Sequence, residues 1–275
     1  MSELQSPARL RSVVYAEQPG LDDPAETYHD ASKLSPSTAA HDLAGAARLA
    51  HSPELRRVVT QASLRHPELP LLQLGEAAEL NPSLGSAIRA RRSARSFGRA
   101  PLARSHLAAL LEAAYGVTGA LHDDGRHEQP LRAAPSAGAL YPLDIYVALR
   151  RVDGIDPSVY RFDPLERGLE DIGADPDAIV EATAYPELVE EAAVSIVLAA
   201  TFWRSRFKYG QRAYRFTLLE AGHVSQNLLL AATALEHAAV PLGGFYDRRL
   251  DDALGLDGVN RSAVYLVCIG SRSDA

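Results

Sequence analysis

Residues 208–223 read KYGQRAYRFTLLEAGH, Lys208-Tyr209-Gly210-Gln211-Arg212-Ala213 and onward to His223. From Arg212 the pattern predicts a long helix over 212–238 that is apolar nearly all round, so it belongs at the centre of the molecule or at a subunit interface. Glu220, His223 and Asn227 interrupt it at spacings of three and four, which puts them on one face, with Gln226 beside them. Such groups can serve a cofactor, a dimer contact or the core; the usual outcome is a structural network, because buried polar groups must find partners. At the head of the stretch stands Lys208. Of 28 lysines and arginines only Lys33 and Lys208 are lysine. Arginine keeps its proton in a protein, whereas a desolvated lysine can give it up. Lys208 beside Tyr209 is therefore a candidate for proton chemistry, set against the plain reading of a lysine in a surface turn.

Outward from this stretch, the 275-residue chain is long enough for a full core. A net charge of −7 argues against nucleic-acid binding, which usually shows a basic excess. The lone cysteine, Cys268, lies in the apolar run 263–269 and reads as a buried strand residue, with no disulfide to form; a reducing cytoplasm fits. The N-terminus lacks a secretory apolar stretch, and the longest apolar block, 192–203, is too short to span a bilayer.

Residues 1–80 read as an N-terminal arm with short helices, the first 40 rich in Pro, Ser, Asp and Glu. Residues 81–275 form the main domain. Helices are expected from Leu84 to about Arg92, over 103–116 and over 247–256. Strands are expected at 143–149, 158–162, 193–201 and 262–270, a strand or turn at 239–245, and a polar loop at 117–134. The mixture lacks strict βαβ alternation, which favours α+β.

Four groups of residues carry candidate chemistry. Arg89, Arg91, Arg92, Arg95 and Arg99, with Ser93 and Ser96 among them, concentrate bidentate anion donors; a solvated basic helix end is the bland alternative. APSAGALYPLDIYV (134–147) sets small residues and Gly138 just before a strand, so that backbone can approach a flat ligand. PLGGF (241–245) is a second backbone-exposing turn. The polar stripe of the long helix, Glu220, His223 and Asn227, is the fourth, and the Lys208–Tyr209 pair stands beside these four. Neither a phosphate-binding GxxxxGK[ST] nor a GxGxxG nor a GxSxG elbow occurs. Glu26–His29 and Glu220–His223 both read Glu-x-x-His, but the further carboxylate-bearing helices of a di-metal bundle are not apparent, and His122–Glu128 reads as a solvated loop; no metal site is expected.

In this order, RRSARSF (91–97), PSAGALYP (135–142), KYGQRAYRFTLLEAGH, VPLGGF (240–245) and a last strand ending CIGSR resemble the nitroreductase-like flavoproteins. The narrower resemblance is to their SagB-type branch, the azoline dehydrogenases of thiazole- and oxazole-modified peptide biosynthesis. It covers 85–275 well and 1–84 thinly, although YHDASKL (28–34) resembles a stretch near the start of that branch. The resemblance implies an FMN-binding α+β fold with a central, mostly antiparallel sheet flanked by helices, in a homodimer with flavin at the subunit interface. It implies that Arg91, Ser93 and Arg95, with Arg92 as helper and Arg272 closing, meet the phosphate and ribityl end. Pro135, Ser136, Ala137 and Gly138 would lie along the isoalloxazine with Leu140 nearby, and Gly243 and Gly244 would approach it from another segment. Lys208 and Tyr209 would take the proton from an azoline ring as hydride passes to flavin, with molecular oxygen as final oxidant; which of the two is the base stays open. The implied substrate is a peptide or carrier-tethered azoline and the implied partner a cyclodehydratase. The rivals are an NAD(P)H-dependent nitro- or quinone reductase and a non-redox peptide- or partner-binding subunit.

Overall fold

A strand covered on both faces needs apolar side chains at every position, and VSIVLAAT (194–201) supplies them: all eight residues are buried. The computed structural model describes residues 23–36, 44–52, 54–55, 58, 68–123 and 127–273. Among these the strands are β1 (Leu71–Gln73), β2 (Val117–Asp123), β3 (His127–Arg132), β4 (Leu143–Leu149), β5 (Ser158–Asp163), β6 (Gly168–Ala174), β7 (Val194–Thr201), β8 (Ala238–Leu242) and β9 (Arg261–Gly270). Seven of them form one sheet in the order β1-β6-β5-β4-β7-β9-β8, with every neighbouring pair antiparallel. The helices are α1 (Pro24–Ala31), α2 (Ala44–His51), α3 (Leu84–Ala90), α4 (Arg104–Tyr115), α5 (Pro176–Glu181), α6 (Pro186–Glu191), α7 (Trp203–Tyr209), α8 (Arg212–Ala234) and α9 (Asp247–Ala253). The fold is α+β, as the lack of βαβ alternation predicts.

Side chains alternate across the sheet with the period of two that a strand imposes. Ile145, Val147, Ile196 and Leu198 face α4 and α8, where Leu107, Leu110, Leu111, Val224 and Leu228 complete one core. Tyr146, Ala148, Val197 and Ala199 face the other way, onto Ile179, Val189, Leu250 and Leu254 of α5, α6 and α9. Cys268 lies fully buried in this second layer, its thiol pushed up to about 12 by burial. That is the inert strand residue expected of it. No helix among the described residues is long and apolar enough to cross a membrane.

Two expectations are corrected, and one strand was not expected. Within the loop expected at 117–134, residues 117–123 and 127–132 are two paired strands, β2 on β3, outside the main sheet. Val117 and Leu121 stay 40% and 52% exposed, and of the ribbon's residues whose burial is described only Arg132 is buried, so no apolar pattern is imposed on it. β6 was concealed because it buries only Gly168, Leu169 and Glu170, the last as an ion pair with Arg161 of β5 at 2.5 Å. The long helix stops at Ala234; Leu235 caps it, Glu236 takes a positive φ of 62°, and 238 already belongs to β8.

Leu110→Ala and Ile196→Ala, at fully buried positions, are each expected to cost about 2–5 kcal/mol in urea unfolding. Val259→Ala, at an 82% exposed position, is expected to stay within about 0.5 kcal/mol.

Candidate active site

Lys208 and Tyr209 form the last turn of α7, not a surface turn. Gly210 ends the helix with φ 53° and ψ −136°, a backbone region open in practice to glycine alone, and the chain re-enters α8 two residues later. Both side chains turn toward the 135–141 loop. The Lys208 ammonium lies 5.1 Å from the centre of the Tyr209 ring, which packs edge-on against Phe216. Their polar ends close on Gly138: a Cβ there would lie 2.6 Å from the Tyr209 hydroxyl and collide with Lys208 Nζ. Gly138 also has φ +63°. Glycine is thus favoured twice, by a backbone that other residues adopt only under strain and by the close tips of two side chains that a Cβ would push aside.

The loop is strained beyond Gly138. Ala139 and Tyr141 hold φ values of 52° and 47°, conformations that must be over-determined by their surroundings. The surroundings are polar and buried. Tyr141 N–H donates to Ser136 Oγ at 2.9 Å, Leu143 N–H donates to Tyr115 Oη at 3.4 Å, and Tyr141 Oη accepts from Arg132 N–H at 2.9 Å. Gln129 donates to the Ala139 carbonyl at 2.8 Å. Tyr115 in turn donates to Glu220 Oε1 at 2.5 Å, and Ser136 hydrogen-bonds the same carboxyl. The Arg132 guanidinium lies over the rings of Tyr115 and Tyr141, at 4.3 and 4.8 Å. Glu220 is 2% exposed; burial pushes its carboxyl up to about 7, against the pull of Ser136, Tyr115, Arg132 and Arg204. Burial, then the neighbouring Glu220 charge, holds the Tyr115 hydroxyl well above its ordinary range, so Tyr115 remains a donor.

A second tie joins α7 to the loop. Arg204 pairs with Asp144 at 3.0 Å and donates to the Tyr141 carbonyl at 3.3 Å, and Thr201 donates to Asp144 at 2.8 Å. Burial would raise the Asp144 carboxyl, but Arg204 and Thr201 outweigh it and hold it below its ordinary range. Two N-terminal helices brace the same region. Gly45 of α2 packs directly on the Phe207 carbonyl. Arg215 donates to Ser32 Oγ at 2.7 Å and to the His29 carbonyl, and Arg212 donates to the Ser32 carbonyl at 3.1 Å, closing orphan carbonyls at the end of α1.

The arginine-serine stretch lies elsewhere, along the start of β8 and the end of β9. Ser93 bridges Ala239, Ala94 N–H bonds the Ala239 carbonyl at 2.9 Å, and Gly98 N–H bonds the Ser271 carbonyl at 2.9 Å. Arg272 follows directly, and Ser96 meets Ser273 at 3.0 Å. Among the described residues no carboxylate pairs with Arg91, Arg95 or Arg272. The buried Ser271 hydroxyl has no partner. Arg92 turns back onto the carbonyls of Arg89 and Arg91, both at 2.8 Å, rather than outward. Near Arg272, His237 meets His106 at 2.8 Å; burial first, then His106 and Arg272, push the His237 imidazole down to about 4.

Gly243 and Gly244 continue β8. Gly243 has open space where a side chain would be; Gly244 lies against the Tyr185 ring. Ala239 and Gly243 are four residues apart on an extended segment, roughly 13 Å. β8 is separated from β4, which the 135–141 loop enters, by β7 and β9, roughly 14 Å across. The chain therefore carries two groups: Pro135, Ser136, Ala137, Gly138 and buried Leu140 with Lys208 and Tyr209, and Arg91, Ser93 and Arg95 with Arg272, leading along β8 to Gly243 and Gly244. His223 is exposed and Asn227 half-buried, so of the polar stripe only Glu220 joins the loop network. Arg204, Asp144, Tyr115 and Arg132 went unmarked in the sequence because each is an ordinary residue of a helix or strand until its partner is known.

The chain matches the Nitroreductase family over residues 88–271, and it belongs to that family. It is an oxidoreductase of that family. Among relatives, MJ1384 of Methanocaldococcus jannaschii, assigned to the nitroreductases, is 35% identical over 169 residues, covering 60% of this chain and 80% of its own. The microcin B17-processing protein McbC of Escherichia coli is 26% identical over 134 residues, covering 46% of this chain and 49% of its own; the chain thus spans about half of that relative. The fold is also that of a chain in the E. coli microcin synthetase McbBCD complex with truncated pro-MccB17 bound, with a TM-score of 0.57, 22% identity, and coverage of 94% of this chain and all of that one. The residues fit FMN: arginines with no carboxylate partner among the described residues, and the buried Ser271 hydroxyl that meets no partner among them, suit a phosphate, and side-chain-free backbone at Gly138 and Gly243 suits a flat ring.

Gly138→Ala is expected to destabilise the fold by about 1–2 kcal/mol from the left-handed backbone alone, with displacement of Lys208 or Tyr209 added, read by chemical denaturation. The Glu220 carboxyl gives a pH test. Its folded value near 7 lies above the ordinary 4.5, so its contribution to stability is present below pH 4.5 and lost as pH rises through about 7. Across that window wild type is expected to lose stability relative to Glu220→Gln, and the difference to level off above it.

Proposed function

We propose that this chain is an FMN-dependent dehydrogenase that converts thiazoline or oxazoline rings of a peptide or carrier-tethered substrate to thiazole or oxazole. The observation that carries the reading is the convergence of Lys208 and Tyr209 on the Gly138 backbone, in the loop expected along the flavin ring. Aromatising an azoline removes one hydride and one proton. Bound FMN supplies the hydride acceptor. Arg91, Ser93, Arg95 and Arg272 would hold its phosphate end, and Gly243–Gly244 and Pro135–Gly138 would present backbone to its ring. Lys208 and Tyr209 would receive the proton from the azoline carbon, one as base and the other orienting or polarising it. Both side chains end beside Gly138, on the loop expected along that ring. The relationship to a microcin B17-processing protein supports a peptide substrate, and the likeness to a synthetase chain supports a cyclodehydratase partner.

The separation of the two groups by two strands supports a flavin site built from two copies of the chain. One copy would give the arginines and Gly243–Gly244, and the other the Gly138 loop with Lys208 and Tyr209. The match to MJ1384 favours a second reading, NAD(P)H-dependent reduction of a nitro compound or quinone, which would need no base at Lys208.

With FMN-loaded protein and an azoline peptide, each ring oxidised is expected to lose two hydrogens by mass spectrometry. Lys208→Ala and Tyr209→Phe are each expected to lower the rate by roughly 10²–10⁴-fold, the usual contribution of a positioned acid or base. Full activity in both variants would overturn the assignment of the base. Quinone turnover that survives Lys208→Ala, with no change in azoline mass, would favour the second reading.

A further inference from the structure

We propose that Glu220 is a positioning residue for this reaction: its carboxylate ends two hydrogen-bond chains that start on the backbone of residues 141–143, and so sets the loop against Lys208 and Tyr209. The inference rests on the reading that Lys208 and Tyr209 take the proton. One chain runs from Tyr141 N–H to Ser136 Oγ and from the Ser136 hydroxyl to Glu220. The other runs from Leu143 N–H to Tyr115 Oη and from the Tyr115 hydroxyl to Glu220 Oε1. Each hydroxyl accepts from the backbone and passes its own hydrogen on. Both chains need a final group that only accepts, and an ionised carboxylate is that group. An apolar residue at 220 would leave two buried hydroxyl hydrogens unpaired, an expensive arrangement.

The chains end where strain has to be held. Tyr141 has positive φ, as do Ala139 and Gly138 before it, and Gly138 touches both members of the pair. The groups facing the carboxyl come from four elements: Tyr115 of α4, Arg132 at the end of β3, Ser136 of the loop and Arg204 of α7. The two arginines favour the ionised form, while burial opposes it. A protonated Glu220 would have to donate to one hydroxyl, whose own hydrogen would then lack an acceptor. Above the carboxyl's value near 7 both hydroxyl hydrogens have an acceptor and the loop is held; below it the loop loosens, although the buried charge costs global stability over the same range.

The test compares full-length, FMN-loaded wild type, Glu220→Gln and Glu220→Leu. Hydrogen exchange followed by mass spectrometry reads the peptide containing residues 135–143. Azoline turnover is measured from pH 5.5 to 8.5. In Glu220→Leu, exchange in that peptide is expected to rise at least about tenfold and kcat to fall by a similar factor with little change in KM. In wild type kcat is expected to climb through pH 7. Glu220→Gln, which like the protonated acid keeps one accepting oxygen and donates from the other atom, should show at every pH the faster exchange and lower kcat of wild type below pH 7, and so lose that pH step. Should the leucine variant fail to fold, the loss of the step in the glutamine variant decides the matter. Wild-type exchange, kcat and pH profile in both variants would overturn the proposal. Loop exchange that responds to Glu220 in a protein inert toward azolines would support the positioning and overturn the reaction.

Discussion

The absence of a side chain at residue 138 is the constraint on which the candidate site depends. Any Cβ there would meet Lys208 Nζ and the Tyr209 hydroxyl, and the left-handed backbone would resist it as well. With glycine in place, a loop before β4 and the last turn of α7 share one small volume. Neither piece holds that position unaided. The loop is strained at Ala139 and Tyr141, and α7 is short and ends on Gly210. Buried polar groups close the arrangement: Glu220 with Tyr115 and Ser136 on one side, Arg204 with Asp144 and Thr201 on the other.

These polar groups sit on a rigid frame. β4 and β7 are neighbours near the middle of a sheet with a packed core on each face, and α8 is fixed to one of those faces by Val224 and Leu228. Function-bearing loops on such a scaffold inherit its precision. The helices α1 and α2 add to it from outside the span matched to the family, by gripping Arg212, Arg215 and Phe207 at the junction of α7 and α8.

Much of this was legible in the residues. α4, β4, β7, α8 and β9 carry long apolar runs, so their presence was readable from run length and residue type, although the end of α8 was not. Lys208 stood out because the chain writes arginine almost everywhere else, and Gly138 because it lies in a run of small residues ahead of a strand. What could not be read was pairing between distant segments. Glu220 was visible as a carboxylate in an apolar helix, but Tyr115 and Ser136, which give it a role, belong to other elements. Arg204 was one arginine among many until Asp144 lay beside it. The β2–β3 ribbon escaped because most of its described side chains stay exposed or half-buried, and β6 because it buries only three residues, one of them an ion-paired carboxylate.

The central claim, that Lys208 and Tyr209 work on an azoline beside a flavin, is tested most directly without oxygen. An azoline peptide is added to the purified, FMN-loaded protein, and visible absorbance and peptide mass are followed together. The flavin band is expected to bleach in step with loss of two hydrogens from the peptide, and Lys208→Ala to abolish both. A flavin band untouched by azoline peptides but bleached at once by NAD(P)H would contradict it.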